Sequence, residues 1–235
     1  MNRDYFEFIP IFNIHEIGQN NNPWTISCEQ FEVFLKWIRK RKLQVISMSE
    51  VAEYYQKKEF PQNKIAITFD DGRIGVWLYA LKLLRQYNMP VTIYIVYDWI
   101  FHNIRNKEEM YSEFAGLEEI KMISNEKNIT LGYHTKTHSN LKKMNYNEII
   151  YETIDTKRQL EKKLEKRIEH FSYPYGGYTD QVKKILINSN EYKTICTSKR
   201  AWSQDVFELA RISLKPYHTV KDYDDFLFLE QWTDI

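Results

Sequence analysis

The feature that most constrains this chain is its alternation. Short runs rich in β-branched and aromatic residues are followed, repeatedly, by stretches with apolar residues at helical spacing. "FEFIPIFNI" reads as a strand ending at His15. "LQVIS", "KIAITF", "VTIYIV", "ITLGYH", "IEHFSYP", "KTICTS" and "LARISL" read as further strands. Between them, "CEQFEVFLKWIRKRK" places Phe31, Phe34, Leu35 and Ile38 on one side of a helix. "MSEVAEYYQKK" is a helix with Ser47 or Ser49 as its cap. "RIGVWLYALKLLRQYN" continues until Pro90 blocks it. "LEEIKMISNEK", "TDQVKKILINS" and the closing "DDFLFLEQW" are helices too. From about Tyr146 to Lys166, one helical face collects Tyr146, Ile149, Ile150, Ile154, Leu160 and Leu164. Such alternation implies βαβ units around a parallel sheet. About seven or eight strands in one domain predict a distorted, incomplete (β/α) barrel, with an open doubly wound sheet as the alternative. The 235 residues are 43% hydrophobic and contain no Gly/Ser/Pro-rich linker, so a single domain over 1–235 is expected.

Charge narrows the function classes. Lys+Arg number 33 and Asp+Glu 32, a formal net charge of +1. That balance argues against a nucleic-acid or anionic-membrane partner. The mixed charges between Lys142 and Glu169 are expected on the solvated face of a helix. No segment has the unbroken apolar length of a membrane span. The start, "MNRDYFEFIPIFNIHEIG", is interrupted by Glu7, Asn13 and His15 and shows no small-residue cleavage site, so the cytoplasm is the expected compartment. Cys28 and Cys196 imply neither a disulfide framework nor a cysteine zinc site. Cys28, His102 and His170 are expected to be structural.

In parallel α/β folds, function gathers at the C-terminal ends of strands. The unusual polar residues of this chain sit there. His15 follows the first strand, Asp70 and Asp71 follow "KIAITF", His134 ends "ITLGYH", and "SYPYGG" (Ser172 to Gly177) ends a later strand. Asp-Asp-Gly by itself is an ordinary turn sequence. Yet separate turns have little reason to gather His and Asp at one mouth. His134 and His138 stand four residues apart, which in a helical turn puts both imidazoles on one side. Two histidines and a carboxylate from another strand suit zinc with an open position for water. They also suit non-haem Fe(II).

"TFDDG", "HTKTH" and "FSYPYG", in this order, resemble the motifs of the polysaccharide deacetylase family of carbohydrate esterases. The likeness extends from "IFNIHEIG", similar to the family's frequent "YH-x-I" start, to "LARISL". It is strongest for the branch that deacetylates poly-N-acetylglucosamine. The resemblance implies a distorted (β/α) barrel and a hydrolase that removes acetyl groups from glycans, acting on non-peptide C–N bonds. It implies one divalent ion, zinc by expectation, with Co²⁺, Ni²⁺ or Fe²⁺ as substitutes. By the same resemblance Asp71, His134 and His138 hold the ion and Asp70 is the general base. A metal of this kind lowers the pKa of a bound water from about 15.7 towards about 7. The backbone N–H of Tyr175, after Pro174, would face the oxyanion; such donors contribute roughly 2.7–4 kcal/mol.

Two departures from the family pattern concern proton transfer and the base. Many members carry a late Leu-x-His motif whose histidine protonates the leaving nitrogen; here "ISLKPYHT" puts His218 four residues after Leu214. The poly-N-acetylglucosamine branch uses a histidine near the N-terminus, which matches His15. His15 is the candidate acid, with His218 the alternative. Many members also have Arg two residues before the Pro-Tyr pair, to orient the base. Ser172 occupies that place here, and Arg211 in "LARISL" resembles the branch's "Pro-Arg-Ile". A surface ion pair is the competing reading for Arg211. Pro174, Tyr173, Trp99 and Trp202 are candidate substrate contacts, with Tyr97 and Tyr178 as further rings able to stack on sugar faces. Two other functions fit parts of the pattern: an iron oxygenase on the same ligands, and a glycan-binding module without catalysis.

Overall fold

The computed structural model describes residues 8–19, 22–101, 113–198 and 202–228. His102, the first residues of the expected N-terminal strand (Phe6 and Glu7) and the end of the expected last helix (Leu229 to Trp232) lie outside these. In chain order the elements are β1 (Ile11–Ile14), β2 (Glu16–Ile17), β3 (Thr25–Ile26), α1 (Cys28–Lys40), β4 (Gln44–Ile46), α2 (Met48–Lys57) and β5 (Lys64–Phe69). They continue with α3 (Leu81–Tyr87), β6 (Val91–Ile95), α4 (Tyr97–Phe101), α5 (Leu117–Ser124) and β7 (Ile129–Tyr133). Last come α6 (Tyr146–Ile150), α7 (Thr156–Leu164), β8 (His170–Ser172), α8 (Asp180–Asn188), β9 (Thr194–Cys196), β10 (Ile212–Ser213) and α9 (Val220–Phe228).

The large sheet runs β10-β1-β5-β6-β7-β8-β9, with β4 beside the start of β5, and every pairing in it is parallel. This is the curled sheet of a distorted (β/α) barrel. Helices cover its outer face, so β1, β6 and β8 are buried throughout. The two sheet edges come together through one short segment. Leu209 bridges to Cys196 in β9, and three residues later Ile212 pairs with Phe12 in β1. Arg211 lies in that seam and is therefore aimed into the sheet's interior rather than at the surface.

Local chemistry sets the helix ends. Ser27 and Gln30 form a capping box on α1, and Ser47 and Glu50 form one on α2. Ser49 is thereby free of the cap; its hydroxyl instead meets His170 Nε2 at 3.0 Å. Phe34 of α1 packs on Phe12 of β1 at 5.0 Å and on Tyr223 of α9 at 5.2 Å, joining three elements. Truncating such a ring costs about 3–5 kcal/mol.

Three expectations change. The helix before Pro90 opens with a π-helical turn, Val76–Ala80, ahead of α3. Its approach to β2 is so close that a Cβ on Gly75 would lie 1.9 Å from Glu16 Oε1 and 2.0 Å from Ile17 O. The helix from Tyr146 is also interrupted, by a π-helical turn at Tyr151–Asp155 between α6 and α7. Finally, the charged stretch is not wholly solvated. Lys157 is fully buried and pairs with Glu161 at 2.9 Å and Glu191 at 2.7 Å, because its helix face turns onto α8 and β8 neighbours rather than outward. No helix among the described residues is long and apolar enough to cross a membrane.

Candidate active site

The turns after β1, β5, β7 and β8 carry the candidate residues, and their backbone is unusual. Among the described residues, nine non-glycine residues have positive φ. Five of them, Lys42, Lys58, Asn88, Glu165 and Asn190, terminate helices, where a left-handed residue is the ordinary ending. The other four are Asp71 (φ 74°), Thr135 (68°), His138 (59°) and Tyr175 (57°), all in the candidate turns. Left-handed backbone at non-glycine residues is strained and concentrates where geometry serves function. Asp71 and Gly72 (φ 70°) are consecutive left-handed residues. Asp-Asp-Gly is thus a turn and part of the candidate site together: the turn aims the second carboxylate.

Asp71 Oδ1 faces His138 Nε2 at 3.5 Å and His134 Nε2 at 3.7 Å. These separations are too long for good hydrogen bonds. The three ligand atoms lie within 4.8 Å of one another, which suits an ion between them. The tautomer of His134 fits as well. Its Nδ1 is 2.7 Å from the Ser172 carbonyl, which only accepts, so Nδ1 carries a proton and, in the neutral ring, the Nε2 lone pair is the one turned to the cluster. Burial, reinforced by His134, pushes His138 down to about 4, which keeps it neutral and able to ligate. The second oxygen of Asp71 accepts from Arg73 Nε at 3.2 Å, and Arg73 also pairs with Glu113. Asp71 therefore offers one oxygen to the cluster.

Asp70 is held differently. Arg211 grips it with two parallel bonds, Nη1 to Oδ1 and Nη2 to Oδ2, both 2.7 Å. Asn13 Nδ2 donates to Oδ2 at 3.2 Å. The grip itself is braced: Arg211 Nη1 donates to Asn13 Oδ1 at 3.0 Å and Nη2 to Ser172 Oγ at 2.8 Å. Burial alone would raise the Asp70 pKa, but Arg211, His134 and His15 override it and hold the carboxyl well below the usual range. The Arg211 side chain is 1% exposed, so the surface-pair reading of this residue does not describe it.

His15 stands near both carboxylates, whose charges oppose the lowering of its pKa by burial. Its Nδ1 is buried and makes no hydrogen bond among the described residues. His218 lies elsewhere: its ring packs between Tyr217 and Phe226 and its Nδ1 accepts from the Lys215 N–H at 3.2 Å. Tyr175 is 71% exposed, with its ring against His138 at 4.8 Å. Its N–H belongs to the first turn of a short 3₁₀ segment, Pro174–Gly176, where amides lack a partner inside the helix. Trp99 lies against His138 at 5.0 Å and stacks on Phe114 at 4.3 Å. Pro174 is buried. Tyr173 is a correction: it is 1% exposed, stacked on Tyr178 in the core, and has no face to offer a sugar. Trp202 stacks on Phe8 at 3.7 Å, and Tyr97 packs on Phe101 at 4.9 Å.

Sequence reasoning missed Asn13, Ser172 as a brace, Arg73 and Glu16. Asn13 carried a readable signal, as the one polar residue in "IFNI", a wholly buried strand. Glu16 is buried beside Arg73, and burial pushes it up to about 7. A cavity of about 640 Å³ lined by Ser49, Tyr55, Tyr192 and Phe207 contains none of these groups.

A parallel (β/α) sheet with a two-histidine, one-carboxylate cluster at its C-terminal mouth defines a barrel protein with a candidate divalent-cation site. The comparisons with known proteins are narrower. A profile of the polysaccharide deacetylase family matches residues 57–195, which include Asp70, Asp71, His134, His138 and the Pro174 turn. The chain belongs to the polysaccharide deacetylase family. It is 25% identical over 229 residues to the poly-β-1,6-N-acetyl-D-glucosamine N-deacetylase of Staphylococcus aureus (strain MRSA252), covering 86% of this chain and 73% of the relative. The fold is similar to that of the Streptococcus pyogenes deacetylase PplD, solved in complex with acetate (TM-score 0.82, 21% identity, 93% of this chain and 97% of that one). It is also similar to IcaB from Ammonifex degensii (TM-score 0.78, 17% identity, 96% and 99%). His15 and Arg211 fall outside the residues that the profile matches.

Proposed function

We propose that this chain is a metal-dependent N-deacetylase of N-acetylated sugar polymers or glycan intermediates. The observation that carries the proposal is one mouth holding two unlike carboxylates. Asp71 opens onto two imidazoles, and Asp70, its neighbour, is locked by Arg211. Paired acids with divergent surroundings take divergent roles. The donor set suits zinc. Asp71, His134 and His138 would hold the ion, which when bound would acidify a water and polarise the acetyl carbonyl.

The chain's own residues do the rest. Asp70 accepts the proton of the attacking water, and the Arg211 grip keeps it ionised and correctly turned. The same grip makes Asp70 a weak base. The water oxygen bonds to the acetyl carbon, and the Tyr175 N–H stabilises the charge that develops on the carbonyl oxygen. The C–N bond then breaks as His15, acting in its protonated form beside the two carboxylates, gives its proton to the departing nitrogen; the proton taken up by Asp70 is then released and restores the starting state. Acetate and a free amine result. Trp99 and exposed Tyr175 flank His138, where flat rings suit a sugar face. The relative from Staphylococcus aureus supports a β-1,6-linked N-acetylglucosamine substrate.

The test is acetate release from a panel containing poly-N-acetylglucosamine, N-acetylglucosamine oligomers of other linkage, and O-acetylated glycans. Release from N-acetyl substrates is expected. Release from O-acetyl substrates alone would overturn the amide assignment.

A further inference from the structure

The loop between the two candidate histidine ligands is strained and has little of its own to hold it. Thr135 and His138 both have left-handed backbone. The one bond inside the loop runs from the His138 N–H to Thr135 Oγ1 at 2.9 Å. Its other anchors come from two places. One is α4, where the Tyr97 and Asp98 N–H groups donate to the Thr135 and Lys136 carbonyls at 3.1 and 2.8 Å and Asp98 Oδ2 accepts from Lys136 Nζ at 2.7 Å. The other is one buried residue, Glu152, which alone holds the Lys136 and Thr137 amides. Glu152 Oε2 accepts from the backbone N–H groups of Lys136 and Thr137, each at 3.0 Å. Glu152 Oε1 accepts from the Thr137 hydroxyl at 2.9 Å. The Glu152 backbone carbonyl also receives the Lys136 N–H at 3.0 Å. Glu152 is 6% exposed.

Glu152 occupies the π-helical turn that interrupts the helix between α6 and α7. An inserted π turn shifts a side chain around the helix axis and is found mostly where function requires it. This one is braced by side-chain hydroxyls. Thr156 Oγ1 donates to the Tyr151 carbonyl at 2.7 Å, and Thr153 Oγ1 donates to the Ile149 carbonyl at 2.6 Å. Since the Thr156 hydrogen is used in that way, the Tyr133 hydroxyl donates to Thr156 Oγ1 at 2.7 Å, tying the turn to the strand that ends at His134. The Tyr192 hydroxyl donates to the Thr153 carbonyl.

We infer that Glu152 is a positioning residue: from the π turn, its carboxylate clamps the Lys136–Thr137 backbone and so fixes His138 in the ligating geometry. This rests on the metal-site reading above. It contacts neither ion nor substrate, so its effect is expressed as metal affinity.

The experiment measures Zn²⁺ affinity by competition with a chromophoric chelator, at a temperature where all variants are folded. The melting temperature of each metal-free protein is recorded beside it. Glu152→Met removes both carboxylate oxygens, and with them three hydrogen bonds, at similar volume and is expected to weaken Zn²⁺ binding by about 10–100-fold, the usual cost of removing a ligand-orienting partner. Glu152→Gln keeps an oxygen for the two amides, and its NH₂ can donate to the Thr137 hydroxyl, so affinity should stay near that of the unsubstituted protein. In a His138→Ala background, Glu152→Met should cost no further affinity, because the residue acts through His138. If Glu152→Met does not fold, Thr137→Val removes one anchor and should weaken Zn²⁺ binding several-fold. Unchanged affinity in Glu152→Met, or in Thr137→Val where that variant is used, overturns the assignment. So does an equal loss with His138 present and absent. A parent protein that binds no Zn²⁺ overturns the metal site itself, and this inference with it.

Discussion

Replacing Arg211 with methionine removes the guanidinium and leaves its stem volume largely filled. Both partners are buried, at 1% and 5% side-chain exposure, so Asp70 is left as an uncompensated charge in the interior. Breaking such a pair from one side costs about 3–5 kcal/mol. For a chain of this size, about 2–4 °C of melting temperature accompanies each kcal/mol, so Arg211→Met should melt roughly 6–20 °C lower. The Asp70 pKa should rise, since burial then acts with less opposition. Turnover should fall with it, through loss of both the ionised base and its orientation. The double variant Arg211→Met with Asp70→Asn removes the stranded charge and should recover part of the lost stability while remaining inactive. The assay is urea denaturation at pH 7 followed by tryptophan fluorescence, with acetate release on the same samples. A single variant destabilised by less than about 1 kcal/mol, below the range for a broken buried pair, would refute the reasoning. A double variant no more stable than the single would also refute it.

Three further outcomes are expected. Burial holds His170 at about 4, against 6.5 for a free imidazole, so between those pH values the unfolded chain binds a proton that the folded chain refuses. Stability should therefore fall as pH drops from 6.5 towards 4, with His170 contributing about 3 kcal/mol; a pH-independent difference between parent and His170→Gln in denaturant titrations would contradict this. Asp71→Asn should lose metal affinity, whereas Asp70→Asn should keep the metal and lose most turnover; equal metal loss in both would show that the roles are not divided. His15→Ala should slow N-acetyl sugar hydrolysis by about a hundredfold to ten-thousandfold and an activated acetate ester far less, at unchanged metal content. An amide-selective defect in His218→Ala instead would move the acid to the late histidine.

Much of the fold and part of the candidate site are legible in the sequence. The alternation of strands and helices predicts the parallel sheet because both periods are set by backbone geometry, whatever the distant partners. The gathering of Asp70, Asp71, His134 and His138 follows from strand ends sharing one mouth. What the sequence hid depends on three-dimensional closure. Arg211 is named from the sequence by resemblance, but its choice between Asp70 and a surface pair depends on the seam between Leu209 and Ile212, which turns it inward. Lys157 reads as part of a solvated face because its neighbours are charged; its burial depends on Glu191, in the connection between α8 and β9. Tyr173 looked like a cleft residue because its neighbours are, yet the side chain after β8 alternates back into the core. Glu152 was invisible because a regular helix would have aimed it elsewhere, and no periodicity rule places a π turn.

The central claim is that the Asp71, His134 and His138 cluster holds an ion on which deacetylation depends. The most direct measurement is bound metal and acetate release on the same preparations of the parent, His134→Ala and His138→Ala proteins, before chelation, after it, and after addition of Zn²⁺ or Co²⁺. The account predicts that the parent binds one ion per chain, loses activity and metal together, and regains both. It predicts low occupancy in each histidine variant, because each lacks a ligand. Undiminished acetate release from metal-free protein, or full occupancy in both histidine variants, would contradict it.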